Sequence, residues 1–290
     1  MNPRWTAWQA LSLVAILLGV GLAFATSSAE PEACRKLPAP KRTQAMALLG
    51  SLHPYECCDR SIAACLQKKP CSLVKRLAND VCSRVAKGED KATIERALNR
   101  RGALALPTAK QHTIGLKGVE LAGDGSSPVT AIVYVCPRCP FCAKLVPTLH
   151  REATSGRLKG KVKFGAKMFP LRSHANSVPG ALAVVGAARL GQQWPFLLGL
   201  YERFDQYDSE TLPELAGSKG LDPDRMKQLL VDPSVRAELV EMKKEGVRNG
   251  VEATPALYVD GRKFDGALDT EQVVDILLEA YERKTGRLCK

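Results

Sequence analysis

Hydrophobic and polar positions along the chain change rhythm several times. From Trp5 to Ser28 there is no charge, and Ala10–Ala25 is almost wholly apolar. That core has the length of a signal-peptide core and is short for a comfortable membrane span. Further on, Leu73, Leu77, Val81 and Val85 recur at helical spacing, and Gly88 follows as a stop. Ile94, Ala97 and Leu98 mark another helix ending near Gly102. Val129–Val135, reading VTAIVYV, predicts a buried strand, and Val162–Met168 predicts the next, parallel to it through a helical crossover. Residues 175–249 are helical in pattern. Within them Asp222-Pro223 and Asp232-Pro233 each supply an N-cap followed by proline at the first helical position. Leu257–Val259 and Arg262–Phe264 predict a hairpin about Asp260-Gly261, and Asp269 with Gln272 predicts the cap of a final helix.

These elements divide the chain. Residues 1–29 read as a signal peptide or N-terminal anchor; small residues at Ala23-Phe24-Ala25 and Ser27-Ser28-Ala29 favour cleavage. Residues 30–101 form a Cys-rich helical module. It has an extended lead-in at 30–40, set by Pro31, Pro38 and Pro40, and a short helix over Thr43–Leu52 ended by His53-Pro54. Residues 102–112 are a linker. Residues 113–290 are an α/β domain in which Thr113–Leu121 is a candidate strand, 123–128 a turn and about 175–249 a helical insertion.

Charge adds little to the fold but narrows the partners. The chain of 290 residues carries a formal net charge of +12. Residues 30–111 hold 16 basic and 8 acidic side chains, so the excess sits mainly in the helical module. A basic surface suits nucleic acid, but export argues against that, leaving an anionic membrane surface or an acidic partner. A solvated Lys- and Arg-rich helical face accounts for the same composition.

Export makes the ten cysteines readable. In an oxidising compartment unpaired thiols are the exception. Cys34, Cys57, Cys58, Cys65, Cys71 and Cys82 are expected in structural disulfides that supplement a modest core, in no assigned pairing. Adjacent Cys57 and Cys58 should each bond elsewhere. Cys289 either tethers the C-terminal tail or stays free. The central cluster differs: Cys136, Cys139 and Cys142 follow the first strand at two-residue spacing. Pro140 suits the first helical position, which sets Cys139 at a helix N-terminus. The dipole and unpaired amides there favour its thiolate. Cys136 has two readings, a third redox thiol or a small residue closing a strand. A metal site built on these three cysteines would need a fourth ligand, His150 being the nearest candidate for zinc; no metal is expected. Trp194, Phe196, Leu197 and Leu200 read as core of the insertion.

Two resemblances follow. The module, from Ser61-Ile62 through Arg101, resembles the helical domain of CcmH-type cytochrome c maturation proteins. It lacks their Cys-x-x-Cys, so their thiol chemistry is not carried over. Residues 113–285 resemble DsbA-like thiol:disulfide oxidoreductases of the branch with a Cys-Pro-Phe-Cys site. The resemblance rests on Cys139-Pro140-Phe141-Cys142 with Pro147, Phe169-Pro170-Leu171-Arg172-Ser173-His174, the helical insertion and Gly250 through Gly266. It implies a thioredoxin-like fold with Cys139 attacking and Cys142 resolving. Pro140 and Phe141 would tune the thiolate, and Thr254 before a cis Pro255 would face the dithiol and meet substrate backbone. It further implies protein thiol or disulfide substrates, a membrane redox partner and no organic cofactor. A reductant in cytochrome c maturation and a non-catalytic, chaperone-like binding module are the competing readings. The first strand lacks the buried acid that thioredoxins commonly keep near the dithiol, so the resolving thiol must pass its proton elsewhere.

Overall fold

The computed structural model describes residues 30–67 and 70–290; the expected signal segment lies outside the described residues. The first half of the chain is helical: α1 (Glu32–Arg35), α2 (Ala39–Ser51), α3 (Ile62–Leu66), α4 (Ser72–Ala86) and α5 (Lys91–Ala103). The extended lead-in expected at 30–40 is corrected here. Prolines there open helices instead of preventing them: Pro31 and Pro38 are N-caps, and Pro40 sits in the first turn of α2, where no amide is needed. Leu73, Leu77, Val81 and Val85 of α4 are buried and pack with Leu48, Leu49, Ile62, Ile94 and Leu98 in one apolar cluster.

Three disulfides reinforce this part, and they revise the expected set. Cys34 bonds Cys82, Cys58 bonds Cys65, and Cys57 bonds Cys289. Cys71 is a free thiol. Because Cys57 leaves the module to tether the C-terminal tail, the module keeps an odd number of cysteines and Cys71, the N-cap of α4, has no bonding partner.

The second half opens with β1 (Leu121–Ala122), β2 (Val129–Val135), α6 (Pro140–Thr154) and β3 (Val162–Met168). The strand expected over Thr113–Leu121 shrinks to the two residues of β1. Their register against Phe164 and Gly165 is antiparallel. Gly165 lets Leu121, Val119 and Ile132 approach, since a Cβ there would stand 2.7 Å from Ile132 Cδ1. The helical insertion follows as α7 (Ser177–Ala188), α8 (Gln193–Glu202), α9 (Leu212–Ser218), α10 (Pro223–Val231) and α11 (Pro233–Arg248). The caps at Asp222 and Asp232 form as predicted, each carboxylate accepting from the amide two residues on. The chain closes with β4 (Ala256–Val259), β5 (Arg262–Lys263) and α12 (Thr270–Lys284). Asp260 and Gly261, both with positive φ, make the hairpin turn.

The strands form one sheet in the order β1-β3-β2-β4-β5, with β2 and β3 parallel and β4 antiparallel to β2. This is a βαβ–helical insertion–ββα arrangement, an α/β thioredoxin-like fold with helices on both faces. One face carries the main core of Val133, Val135, Leu145, Leu149 and Phe164 with the inserted helices; the other carries Tyr134, Phe169 and Tyr258.

The helical part and the α/β part meet along α12, through ion pairs deep in the interface. Arg101, with a fully buried side chain, donates to Glu279, which is itself 3 % exposed. Tyr55 donates to Glu279 Oε2 at 2.5 Å, and Arg76 pairs with Glu282 at 2.5 Å. Buried charge of this kind persists only where each partner is met.

Candidate active site

The site lies where β2 ends. Val129–Val135 is buried along nearly its whole length because β-branched residues suit a strand covered on both faces. The Cys139 amide donates to Cys136 O at 3.1 Å, closing a turn, and α6 starts at Pro140 with Cys139 as N-cap in extended conformation. Cys142 stands one turn on, fully buried; Cys139 is 2 % exposed. Both are thiols in this structure.

The two thiols are driven apart in acidity. A hydrogen bond from Cys142 is the largest influence on Cys139. Burial opposes it, while the amides of Cys142 and Phe141 add to it, and the Cys139 pKa falls to about 5. Cys142 moves the other way: burial and the neighbouring Cys139 sulfur push it far above the usual thiol range. One sulfur is thus a thiolate at neutral pH and the other holds its proton.

Facing the pair is the Thr254–Pro255 segment, whose peptide bond is cis. The Cys139 thiol lies 3.2 Å from Thr254 O. The Thr254 hydroxyl is buried with no hydrogen-bond partner. Phe141 projects into solvent, 69 % exposed, at the edge of a groove of about 380 Å³ lined also by Leu145, Pro255, Leu268 and Asp269.

Cys136 is fully buried with its Sγ 3.4 Å from His174 Nδ1, and burial raises its pKa. Tyr201, absent from the sequence reading, brings its hydroxyl within 3.5 Å of Cys136 O. His150 is not drawn to the thiols: it packs against the Trp194 ring at 4.7 Å, and burial lowers its pKa. Among the described residues no three His, Cys, Asp or Glu side chains converge as metal ligands. Trp194, Phe196, Leu197 and Leu200 lie in the core.

A half-buried acid lies on α11, away from β2 in sequence. Glu245 of α11 accepts from Lys167 of β3 at 2.6 Å and from the Tyr134 hydroxyl at 2.5 Å. Burial alone would raise Glu245; those two bonds outweigh it and hold the carboxyl below its usual range. The readable signal was Lys167, the second of two lysines in an otherwise apolar strand.

A family model described as Thioredoxin matches residues 117–279, more than half of the chain. The chain belongs to the thioredoxin family. Among solved structures, this family member superposes on oxidised BdbD from Bacillus subtilis with a TM-score of 0.52. The two are 20% identical, and the match covers 60% of this chain and 98% of that one. A thioredoxin-like oxidoreductase from Silicibacter pomeroyi gives a TM-score of 0.51 at 19% identity, over 58% of this chain and 93% of the other. Both likenesses describe the thioredoxin fold. A curated relative named Na(+)/H(+) antiporter NhaA, from Herminiimonas arsenicoxydans, is 27% identical over 180 residues, which is 62% of this chain. The match spans 28% of that relative's length.

A buried thiolate at a helix N-terminus, a protonated thiol one turn away and a carbonyl facing the first can together make and break a disulfide bond with an incoming chain.

Proposed function

We propose that the protein is an exported thiol:disulfide oxidoreductase that exchanges disulfides with protein substrates through Cys139 and Cys142. The observation that carries this reading is the opposite displacement of the two thiols. Cys139 is held as thiolate at the head of α6, and Cys142 is held protonated behind it. Cys139 attacks a substrate disulfide, the substrate's leaving sulfur departs, and Cys142 resolves the mixed disulfide; the reverse sequence oxidises a substrate dithiol. Thr254 and Pro255 meet the substrate backbone beside Cys139, and the groove behind Phe141 receives its apolar side chains. In this reading residues 30–101 are a separate basic, disulfide-bearing module, 102–112 a linker and 113–290 the exchanging domain. A membrane redox protein restores the dithiol or the disulfide after each turnover.

The test is exchange with a disulfide-bearing peptide by the full chain. Cys139→Ser is expected to abolish it, and full activity in that variant would exclude the reading in favour of a non-catalytic binding role. The Cys139–Cys142 reduction potential, measured against glutathione, then sets whether the protein donates or withdraws electrons in an oxidising compartment.

A further inference from the structure

Cys139 has a thiol three residues away on each side, and the exchange chemistry proposed above uses one of them. The geometry points to Cys136 as a second resolving thiol for Cys139, with His174 as the acceptor of its proton. This inference rests on the proposed exchange and extends it to a three-thiol relay.

The turn Cys136-Pro137-Arg138-Cys139 is closed by the 3.1 Å bond from the Cys139 amide to Cys136 O. A turn of this type holds its first and last Cα atoms within about 7 Å, and disulfides span Cα separations of about 4.4 to 6.8 Å. The turn therefore keeps the two Cα atoms inside the separation beyond which a disulfide cannot close. It is also held there. The Tyr201 hydroxyl lies 3.5 Å from Cys136 O, and Arg138 donates to Phe204 O at 2.9 Å with its guanidinium 5.1 Å from the Tyr207 ring centroid. Cys136 Sγ now faces His174 and Cys139 Sγ faces Thr254, so the two approach by side-chain rotation within the turn.

His174 gives Cys136 a proton acceptor of its own, a role no acid in β2 fills. Among the described residues it is the only imidazole within hydrogen-bond distance of any of the three thiols. With its proton on Nε2, Nδ1 accepts from the Cys136 thiol. His174 lies on the loop after β3 and is partly exposed, so a proton taken there reaches solvent. A cysteine that merely filled the end of a strand would not call for a polar ring at its sulfur.

The step balances without an outside reagent. The substrate is joined to Cys139 by a mixed disulfide, and Cys136 gives its proton to His174. The Cys136 sulfur attacks Cys139 Sγ, the Cys136–Cys139 bond forms, and the Cys139–substrate bond breaks. The substrate sulfur leaves with the electron pair and takes up a proton. Two electrons have moved from the Cys136 and Cys139 thiols to the substrate disulfide. Attack by Cys142 on Cys139 Sγ then frees Cys136 with no net change in oxidation state.

The test uses the full chain and a peptide with one internal disulfide. In Cys142→Ser the mixed disulfide is expected to clear, and peptide mapping should find a Cys136–Cys139 bond. In Cys136→Ser/Cys142→Ser, and equally in Cys136→Ala/Cys142→Ser, it should persist. Adding His174→Ala to Cys142→Ser should slow clearing by about tenfold or more. Stable trapping in Cys142→Ser alone, with no Cys136–Cys139 bond, overturns the relay while leaving the two-thiol exchange intact. Exchange that survives Cys139→Ser overturns both.

Discussion

Replacing Cys142 with alanine separates the two causes that hold Cys139 as a thiolate. The substitution removes the largest of them, the hydrogen bond from the Cys142 thiol, and keeps the backbone amides of the first helical turn. A hydrogen bond to a charged group contributes about 1.5–3 kcal/mol, and one pKa unit corresponds to about 1.4 kcal/mol. The Cys139 midpoint should therefore rise from about 5 to roughly 6–7 and stop short of the ordinary thiol value of 9.0. The sign for stability follows from the same shift. A thiol whose pKa is depressed by folding stabilises the reduced fold above its unfolded value, and the benefit is lost as pH falls through the folded value. At neutral pH the wild-type shift contributes about 3 kcal/mol to the reduced state, and Cys142→Ala should reduce that by about half or more. The assay is thiolate ultraviolet absorbance against pH, with Cys139→Ser as the blank. A midpoint unmoved at about 5 would refute the Cys142 hydrogen bond as the main cause. A midpoint at the ordinary thiol value would refute any part for the amides.

Three other outcomes are open to measurement. Asp275 is raised to about 6, first by burial and then by the Glu279 and Asp80 carboxylates, with Arg101 and Arg76 opposing. A raised acid penalises folding increasingly as pH climbs from its ordinary value of 3.8 through about 6, so Asp275→Asn should stabilise by about 1–3 kcal/mol in mild alkali and by nothing near pH 3. Urea midpoints that differ equally at both pH values would refute the assignment. Cys289→Ser opens a loop spanning 232 residues and should cost roughly 2–4 kcal/mol in non-reducing denaturation. Adding Cys57→Ser should cost little more, because both act through one bond. Phe141→Ala should raise KM for a peptide substrate by about tenfold while leaving Tm unchanged, since the ring is 69 % exposed and packs on little of the fold. A falling Tm would assign Phe141 to stability instead.

The sequence carried the centre of the site more clearly than its surroundings. Val129–Val135 and Val162–Met168 were legible residue for residue, because β-branched and apolar runs bounded by turns leave few alternatives. Pro140 likewise located the start of α6. The misreadings have physical reasons. Pro31, Pro38 and Pro40 break a helix interior but open a helix end, and only position within the element separates the two cases. Cys57 finds its partner 232 residues away, a pairing that no local spacing encodes. The Glu245–Lys167–Tyr134 cluster is assembled from α11, β3 and β2, and the approach of His174 to Cys136 depends on the parallel register of β2 and β3.

The helix α12 also sets the order in which the molecule can be finished. A chain is made from its N-terminus, so α4 and α5 exist before the helix that completes their interface. Arg101 then has Asp80 of α4 as its acidic partner but still lacks Glu279, which lies 178 residues further on. Cys57 likewise waits for Cys289. Such long-range closures are the slow part of assembly. The helical half is thus built first and locked last, when α12 and the tail close onto it.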